Sequence, residues 1–360
     1  MKKVLVIFFI SVSPLSFTFS QGFFKLHWHD EFNGTVLDPT KWECQIGTGA
    51  SEGLTDWGNN EQQYYTQENV EIKDGFLTII AKKEQKGNKS FTSGRLYTRG
   101  KFSTTYGRIE ARISLPAITG MWPAFWMLPQ DSPYGNWAAS GEIDIMEAKG
   151  RLPEQYSGAI HYGGNWPNNV YSSTDDYKFP DNGTIGDFHV YAIEWKEGEI
   201  AWYCDGQLLK KITSWYSDNG TYPAPFDVDF YILLNLAVGG HFDENKVPPA
   251  NFISGEMKVD YVRIYKWDDD LTAPEIPNDY NSSITPVNMP GITISQSGDH
   301  IIVNSKNQVK TFSLYSVNGA LVLQANNTNV INTSGLNKGC YILKMQDIND
   351  IAGVFKVIVP

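Results

Sequence analysis

The sequence has few cysteines, few basic residues and few long apolar runs. Its three cysteines, Cys44, Cys204 and Cys340, are an odd number, which excludes a fully paired disulfide framework in an exported protein. Cys44 and Cys204 could still pair, although buried apolar thiols are the interpretation we favour. The chain holds 40 acidic and 29 basic residues and has a net charge of −11, which argues against nucleic acid or an anionic membrane as a partner.

The one marked apolar run lies at the N-terminus, at residues 4–10. It follows Lys2 and Lys3 and leads into a Ser-rich stretch that ends at Ser20, a pattern typical of a secretory signal peptide. We therefore predict a signal peptide at residues 1–20. The run is too short to span a bilayer, so we expect export without membrane insertion. His and Cys residues show no zinc-type spacing, so no cofactor is expected for catalysis.

Aromatic residues are abundant, at 14% of the chain, and aromatic rings stack well on sugar faces. Between residues 21 and 267 the pattern is one of short strands without a long helix. Residues 108–115 alternate polar and apolar side chains, and Asp205-Gly206 is typical of a hairpin turn. Residues 230–238 and 257–265 are further apolar strands. The segment therefore predicts an all-β domain of two packed antiparallel sheets.

Three carboxylates stand close together at Glu142, Asp144 and Glu147. In a regular strand Glu142 and Asp144 share a face and Glu147 points to the opposite one. One extra residue in the strand, a β-bulge for which Met146 is the natural candidate, reverses the face to which the following residues point. All three carboxylates then lie on one face. Two carboxyl groups set close together can cleave a glycosidic bond by double displacement. The alternative is a half-exposed strand with an acidic solvent face.

The neighbouring sequence favours the sugar-cleaving interpretation. Gly141-Glu142-Ile143-Asp144-Ile145-Met146-Glu147 follows the aromatic stretch Gly120-Met121-Trp122-Pro123-Ala124-Phe125-Trp126-Met127-Leu128. Together these motifs resemble glycoside hydrolase family 16 of the laminarinase type. The resemblance implies a concanavalin-like β-jelly-roll sandwich with an open cleft on its concave sheet. It also implies a secreted, retaining endo-β-1,3-glucanase that acts on laminarin-like chains.

The resemblance also implies roles for individual residues. Glu142 matches the nucleophile, Glu147 the acid/base, and Asp144 the residue that assists the nucleophile. The positions that match substrate-binding residues are Asn60, Arg95, Trp122, Trp126, Trp137 and His161. Trp126 could equally belong to a packed core. Arg95 could equally be a surface arginine or an ion-pair arginine, and His161 could have a structural role alone.

Family members often bind one calcium ion away from the cleft. The matching positions are Glu31, Gly75 and Asp260, and calcium accepts such oxygen ligands together with water. The resemblance therefore implies a possible structural Ca²⁺ without a catalytic role. The alternative is an Asp in a terminal strand whose hydrogen bonds are satisfied by protein groups.

The composition changes after Trp267. Residues 268–291 are rich in Pro, Asn and Ser, which predicts an extended linker. Residues 292–360 return to short strands, which predicts a small C-terminal β-sandwich domain. Residues 314–319 and 335–343 of this region resemble the type IX secretion C-terminal sorting domain, which implies the type IX secretion machinery as a partner. A carbohydrate-binding or Ig-like module is the alternative, but the segment after 267 contains no Trp.

Two other functions are compatible with the same motifs. One is a different family 16 specificity, for mixed-linkage 1,3-1,4-glucan or for a sulfated algal galactan. The other is a jelly-roll lectin that binds a glycan without cleaving it, although both Glu142 and Glu147 are intact. We expect the protein to be a monomer, either secreted or at the cell surface.

Overall fold

The computed structural model describes residues 23–268, 292–297, 300–305, 309–316, 321–336, 339–347 and 352–359. The predicted signal peptide at 1–20 lies outside these ranges, as does the predicted linker after residue 268. The domain boundaries that we drew from the sequence therefore stay predictions.

Residues 23–268 form two β-sheets, as the sequence predicts. The ten-stranded sheet has the order β16-β15-β14-β8-β18-β5-β6-β3, with β1 beside β18 and β4 beside β5. Its strands are β1 (Phe23–Asp30), β3 (Gln63–Tyr65), β4 (Val70–Lys73), β5 (Phe76–Lys82), β6 (Phe91–Ser93), β8 (Gly107–Ser114), β14 (His189–Lys196), β15 (Glu199–Cys204), β16 (Gln207–Ile212) and β18 (Ser254–Asp268).

The second sheet has eight strands and carries the acidic motif. Its order is β12-β11-β10-β9-β17-β7-β2, with β13 beside β11. Its strands are β2 (Glu43–Cys44), β7 (Arg95–Tyr97), β9 (Met121–Pro129), β10 (Glu142–Glu147), β11 (Gln155–Gly163), β12 (Asn169–Ser173), β13 (Tyr177–Lys178) and β17 (Phe230–Val238). Strand β10 thus lies between β9 and β11, away from the sheet edges.

Helical structure in the described part of the chain is limited to four 3₁₀ helices of three residues each. They are Ala50–Glu52, Asp56–Gly58, Gln67–Asn69 and His241–Asp243. Among the described residues, no helix is long and apolar enough to cross a membrane.

One hydrophobic core lies between the two sheets. Alternate residues of the strands enter it, among them Phe125 of β9, Ile143 of β10 and Trp202 of β15. These side chains are fully buried. The hairpin predicted at Asp205-Gly206 joins β15 to β16, and both residues have the positive φ that a type I′ turn requires. The predicted all-β sandwich is confirmed, and the outer face of the eight-stranded sheet remains open for a site.

The C-terminal residues form two small sheets with their own core. One sheet has the order β19-β20-β23 and the other β22-β21-β24-β25. The strands are β19 (Ile292–Ser297), β20 (His300–Ser305), β21 (Val309–Ser316), β22 (Leu321–Asn326), β23 (Val330–Asn332), β24 (Gly339–Asp347) and β25 (Ala352–Val359). Ile301, Phe312 and Leu343 belong to their shared apolar cluster. This arrangement confirms the predicted C-terminal β-sandwich.

Cys44 and Cys204 are both free thiols, in agreement with the interpretation that we favoured. Cys44 lies on β2 of one sheet and Cys204 on β15 of the other. Burial raises the pKa of Cys44 to about 11 and that of Cys204 to about 12, so both thiols stay protonated at neutral pH. The side chain of Cys340 lies outside the described part of the structure.

The core predicts a large stability difference between two truncations. Phe125→Ala removes a fully buried ring on β9, the strand beside β10, and should lower the free energy of unfolding by about 3–5 kcal/mol. Val36→Ala, at a side chain that is 74% exposed, should change it by less than about 0.5 kcal/mol. Urea unfolding of the full chain, followed by tryptophan fluorescence, measures both. Equal midpoints for the two variants would contradict this account of the core.

Candidate active site

Strand β10 contains a β-bulge, as the spacing of its three acidic residues predicts. Against β9, Asp144 lies opposite Trp126 and Met146 lies opposite Phe125, so Ile145 is the extra residue. Against β11, Ile145 and Met146 together lie opposite Gly158, so the bulge is at these two residues and includes the predicted Met146. Ile145 and Met146 are both buried in the core. With this extra residue, Glu147 lies on the same outer face as Glu142 and Asp144.

Two cross-strand rows extend from the glutamates in opposite directions. Glu142 lies opposite His161 of β11, which lies opposite Tyr171 of β12. In the other direction, Glu147 lies opposite Ala124 of β9, and Ala124 lies opposite Asn235 of β17. Asn235 in turn lies opposite Arg95 of β7. Directly paired residues share a face, so these side chains surround the acidic residues on the outer face of the sheet.

Each glutamate accepts a hydrogen bond from an indole. Trp137 Nε1 donates to Oε2 of Glu142 at 2.8 Å, and Trp122 Nε1 donates to Oε1 of Glu147 at 2.8 Å. These bonds fix the rotation of both carboxyl groups. They engage one oxygen of each group and leave the other for a ligand.

His161 supplies positive charge beside the acidic residues. Its Nε2 lies 3.3 Å from Oδ2 of Asp144 and 3.8 Å from Oε1 of Glu142. Burial alone would lower the pKa of His161, but the carboxylate of Asp144 at 3.3 Å and the charges of Glu142 and Glu147 raise it to about 9. The imidazole is thus a cation at neutral pH and balances one of the three carboxylates.

Burial and the charge of the neighbouring Asp144 together raise the pKa of both glutamates to about 8. Ionising one glutamate makes it harder to ionise the other, so the pair ionises in two steps and the first step leaves one proton on the pair. The imidazolium of His161 forms an ion pair with Glu142, with Nε2 3.8 Å from Oε1, and forms none with Glu147 within 4.0 Å. This difference favours the anion at Glu142 and the proton at Glu147.

Arg95 and Trp126 lie together on the same outer face. The Arg95 guanidinium is 4.5 Å from the ring centre of Trp57 and 4.8 Å from that of Trp126, and its Nε donates to Gln45. Trp126 Nε1 donates to Oδ1 of Asn235 at 2.7 Å. Arg95 is only 7% exposed, so it is neither a surface arginine nor, in these contacts, half of an ion pair. Trp126 is half-buried on the outer face, away from the core.

A buried carboxyl group that was not predicted from the sequence, Glu61, lies on this side. Gln63 and Tyr65 both donate to Oε2 of Glu61, at 2.6 and 3.0 Å, and Asn235 donates to the Tyr65 hydroxyl at 3.3 Å. Burial raises the pKa of Glu61, and the charge of Arg95 opposes that shift. Glu61 directly follows Asn60, so the Gly-Asn-Asn-Glu-Gln loop did contain a signal for it.

Asn60 itself is positioned differently from the other predicted binding residues. It is exposed, has a φ of 58°, and its Nδ2 donates to Oδ1 of Asn245 at 3.0 Å. This bond ties the loop at residues 57–62 to the loop that follows β17. In this arrangement the side chain supports the loop, and a direct role in binding sugar stays a prediction.

Two exposed aromatic residues beside Glu142 were also missed. Trp166 is 72% exposed and lies 6.4 Å from Trp137, measured between ring centres. Tyr171 is 66% exposed and stacks 5.8 Å from His161. Exposed rings that lie together beside the acidic residues indicate a binding surface. The Asn165-Trp166-Pro167 sequence, an aromatic residue within a turn, was the available signal.

The predicted calcium ligands have other partners. Arg263 donates to both carboxylate oxygens of Glu31, at 2.9 and 2.7 Å, and Arg112 donates to Oδ2 of Asp260 at 2.7 Å. Burial opposes the shift, but bonds from His29 and Arg263 lower the pKa of Glu31 to about 2. The Glu31 side chain therefore does not fit a calcium site while this ion pair is intact. Only its backbone carbonyl could join Gly75 and Asp260, and the site stays a prediction.

Comparison with known proteins agrees with this geometry. Glycosyl hydrolases family 16 matches residues 57–263, and the secretion system C-terminal sorting domain matches residues 297–360. The resemblances stated from the sequence are thus confirmed for both regions.

The chain is 48% identical to glucan endo-1,3-beta-glucosidase A1 of Niallia circulans, over 67% of this chain and 38% of that protein. It is 39% identical to a beta-glucanase of Rhodothermus marinus, over 68% of this chain and 85% of that protein. The crystal structure of the laminarinase from Rhodothermus marinus superposes with a TM-score of 0.61 at 38% identity, covering 69% of this chain and all of the other. The chain therefore belongs to glycosyl hydrolases family 16.

Proposed function

We propose that this protein is a secreted, retaining endo-β-1,3-glucanase that hydrolyses laminarin-like glucans. The observation that carries the proposal is the bulged strand β10, which presents Glu142, Asp144 and Glu147 on one face with an indole bonded to each glutamate. The names of the relatives, a glucan endo-1,3-beta-glucosidase and a laminarinase, support β-1,3-glucan as the substrate.

The proposed reaction has two steps. In the first, Oε1 of Glu142 attacks the anomeric carbon while Glu147 gives its proton to the departing glycosidic oxygen, which leaves a glycosyl ester on Glu142. In the second, the Glu147 carboxylate takes a proton from water, and the water oxygen attacks the same carbon and releases Glu142. Both glutamates return to their starting protonation states, and the two inversions retain the anomeric configuration.

Asp144 and His161 support this cycle electrostatically. Asp144 lies between the glutamates along the strand, and its charge helps to keep one proton on the pair. The cation of His161, 3.8 Å from Oε1 of Glu142, stabilises the nucleophile as an anion before attack. These charges therefore favour the negative charge on Glu142 and the proton on Glu147.

The environment of Arg95 favours a neutral glucan over a sulfated galactan. Its guanidinium lies between two indole rings, bonds to Gln45 and is close to the buried Glu61. Its charge is thus already compensated and shielded from solvent. A sulfate ester would need an accessible cation, and Arg95 does not offer one.

We also propose that the protein is exported and then sorted through type IX secretion. The match of residues 297–360 to a sorting domain and the signal-peptide pattern at residues 1–20 support this route. In this proposal the C-terminal domain directs export and takes no part in hydrolysis.

Substitution of the two glutamates should give different phenotypes. With laminarin, Glu147→Gln should reduce kcat by about 10²–10⁴-fold because the leaving oxygen is no longer protonated. The second substrate is laminaribiose joined through a β-glycosidic bond to an activated phenol, which departs without being protonated. With this substrate, Glu147→Gln should accumulate the glycosyl-enzyme. Glu142→Gln should hydrolyse neither substrate, since no ester can form. Reducing-end assays and intact-protein mass spectrometry measure these outcomes.

The control for this pair is Glu256→Gln, at an exposed carboxylate on β18 that lies in the other sheet. It should behave as the wild type. Activity of Glu142→Gln on laminarin at the wild-type level would exclude Glu142 as the nucleophile. Hydrolysis of lichenan or a galactan in preference to laminarin would overturn the substrate assignment.

The pH dependence should follow the proton on Glu147. Because its pKa is raised to about 8, kcat/KM should fall as the pH rises through about 8 and the acid becomes ionised. The bond from Trp122 favours the ionised form and lowers this pKa, so Trp122→Phe should move the falling limb to higher pH. Trp126→Phe, whose indole bonds to Asn235, should leave that limb in place. A limb that moves to lower pH in Trp122→Phe would refute this assignment.

The exposed aromatic residues should affect binding more than chemistry. Tyr171→Ala and Trp166→Ala should each raise KM for laminarin by about 2- to 10-fold, the equivalent of one lost ring contact, and leave kcat nearly unchanged. Trp267→Ala, at an exposed ring on β18 of the other sheet, is the matched control and should leave KM unchanged. Steady-state kinetics decide between these outcomes, and an unchanged KM in both cleft variants would remove the two rings from the binding surface.

A further inference from the structure

The bulge in β10 is bonded to the opposite sheet. A β-bulge interrupts the hydrogen-bond ladder, and here the interruption follows Asp144. The backbone carbonyl of Asp144 accepts a hydrogen bond from Nε1 of Trp202 at 2.9 Å. Trp202 lies on β15 of the ten-stranded sheet and is fully buried. The bond therefore crosses the core and joins the two sheets at the irregular point of the acidic strand.

Gly158 makes room for this bond. It lies on β11 opposite the bulge, between Ala159, which pairs with Asp144, and Ser157, which pairs with Glu147. A Cβ atom at Gly158 would lie 2.3 Å from Nε1 of Trp202 and 2.9 Å from the Asp144 carbonyl oxygen. Such distances are far below van der Waals contact, so a side chain at this position would push the indole away from the carbonyl.

We propose that Trp202, with the space left by Gly158, is a positioning residue that holds the β10 bulge in the register that brings Glu147 beside Asp144 and Glu142. The catalytic role given to Trp202 here rests on the proposed function. Trp202 touches the backbone of β10 from the core side and does not touch the substrate. Its effect on the reaction therefore passes through the strand.

The physical reason lies in the cost of a buried carbonyl without a donor. Without the indole N–H, the Asp144 carbonyl loses its partner in the core and the strand gains by shifting to find another. A shift of one residue in register sends side chains to the opposite face of a sheet. Even a smaller shift separates Glu147 from Asp144, and a displacement of about 1 Å at reacting groups lowers rates by about 10²-fold.

Trp202→Phe tests the proposal because it removes the donor and keeps an aromatic ring in the core. We expect kcat on laminarin to fall by about 10- to 100-fold, with KM within about twofold of the wild type, because the residues on the open face remain. The matched control is Trp42→Phe, which removes another buried indole N–H, bonded at 2.9 Å to Oδ2 of Asp30. It should lower the melting temperature similarly and leave kcat unchanged.

Gly158→Ala is the second variant, since it keeps every hydrogen-bonding group and only displaces the indole. It should reproduce the kcat loss of Trp202→Phe. A readout independent of activity is the NMR titration of His161, whose Nε2 lies 3.3 Å from Asp144. Movement of Asp144 should shift that titration in both variants but not in Trp42→Phe.

Wild-type kcat and an unshifted His161 titration in folded Gly158→Ala or Trp202→Phe would overturn the proposal. An equal kcat loss in Trp42→Phe would overturn it as well, because the effect would then be one of general stability. If the wild-type protein hydrolyses no β-glucan, the proposed function fails, and the His161 titration alone then decides whether Trp202 positions the bulge.

Discussion

One extra residue in a six-residue strand is the constraint on which the site depends. Without it, the two-residue period of β10 would point Glu147 into the core, where Phe125 and Ile143 lie. An isolated carboxylate there would have to be neutralised or expelled. The bulge at Ile145 and Met146 turns Glu147 outward and buries these two consecutive apolar side chains in its place. The cost is an interrupted ladder in a buried strand, and the indole of Trp202 satisfies the carbonyl beside that interruption.

Three carboxylates on one face repel one another, and the surrounding residues reduce this repulsion in two ways. His161 neutralises one charge directly, at 3.3 Å from Asp144. Burial and mutual repulsion keep one proton on the glutamate pair, as their raised pKa values indicate. The outcome is a site in which one glutamate is acid and the other is anion at the same pH. In water two such carboxyl groups would both be ionised at neutral pH.

The sequence predicted the parts of this site that follow from local periodicity. The spacing of Glu142, Asp144 and Glu147 required a bulge, because a regular strand cannot place all three on one face. It did not show that Ile145 shares the bulge with Met146, since both residues are apolar and both enter the core. The resemblance placed Trp122 and Trp137 at the cleft, but their bonds to individual glutamates depend on side-chain geometry that no motif encodes.

Contacts between distant parts of the chain could not be predicted. Asn235 bonds to Tyr65 across 170 residues, and Trp202 reaches Asp144 across 58. Neither residue belongs to a motif, and a Trp or Asn in an apolar strand is otherwise read as core. Gly158 does not lie in a turn motif either. It matters because it has no Cβ atom, which would collide with Trp202. Such pairings are set by sheet order, which the sequence did not supply.

The two sides of the site present different kinds of side chain, and this difference follows from the strand order. Toward β17 and β7, Arg95, Trp126 and Asn235 are held by bonds to one another, so their polar groups are already oriented before a ligand arrives. Toward β12, Trp166 and Tyr171 offer exposed ring faces. Oriented polar groups discriminate between patterns of sugar hydroxyls, because a wrong pattern leaves buried groups unpaired. Ring faces accept any pyranose that presents its C–H face. A cleft with one selective and one tolerant side can bind an internal segment of a long chain at many positions, which is the property that the proposed endo-acting hydrolysis requires.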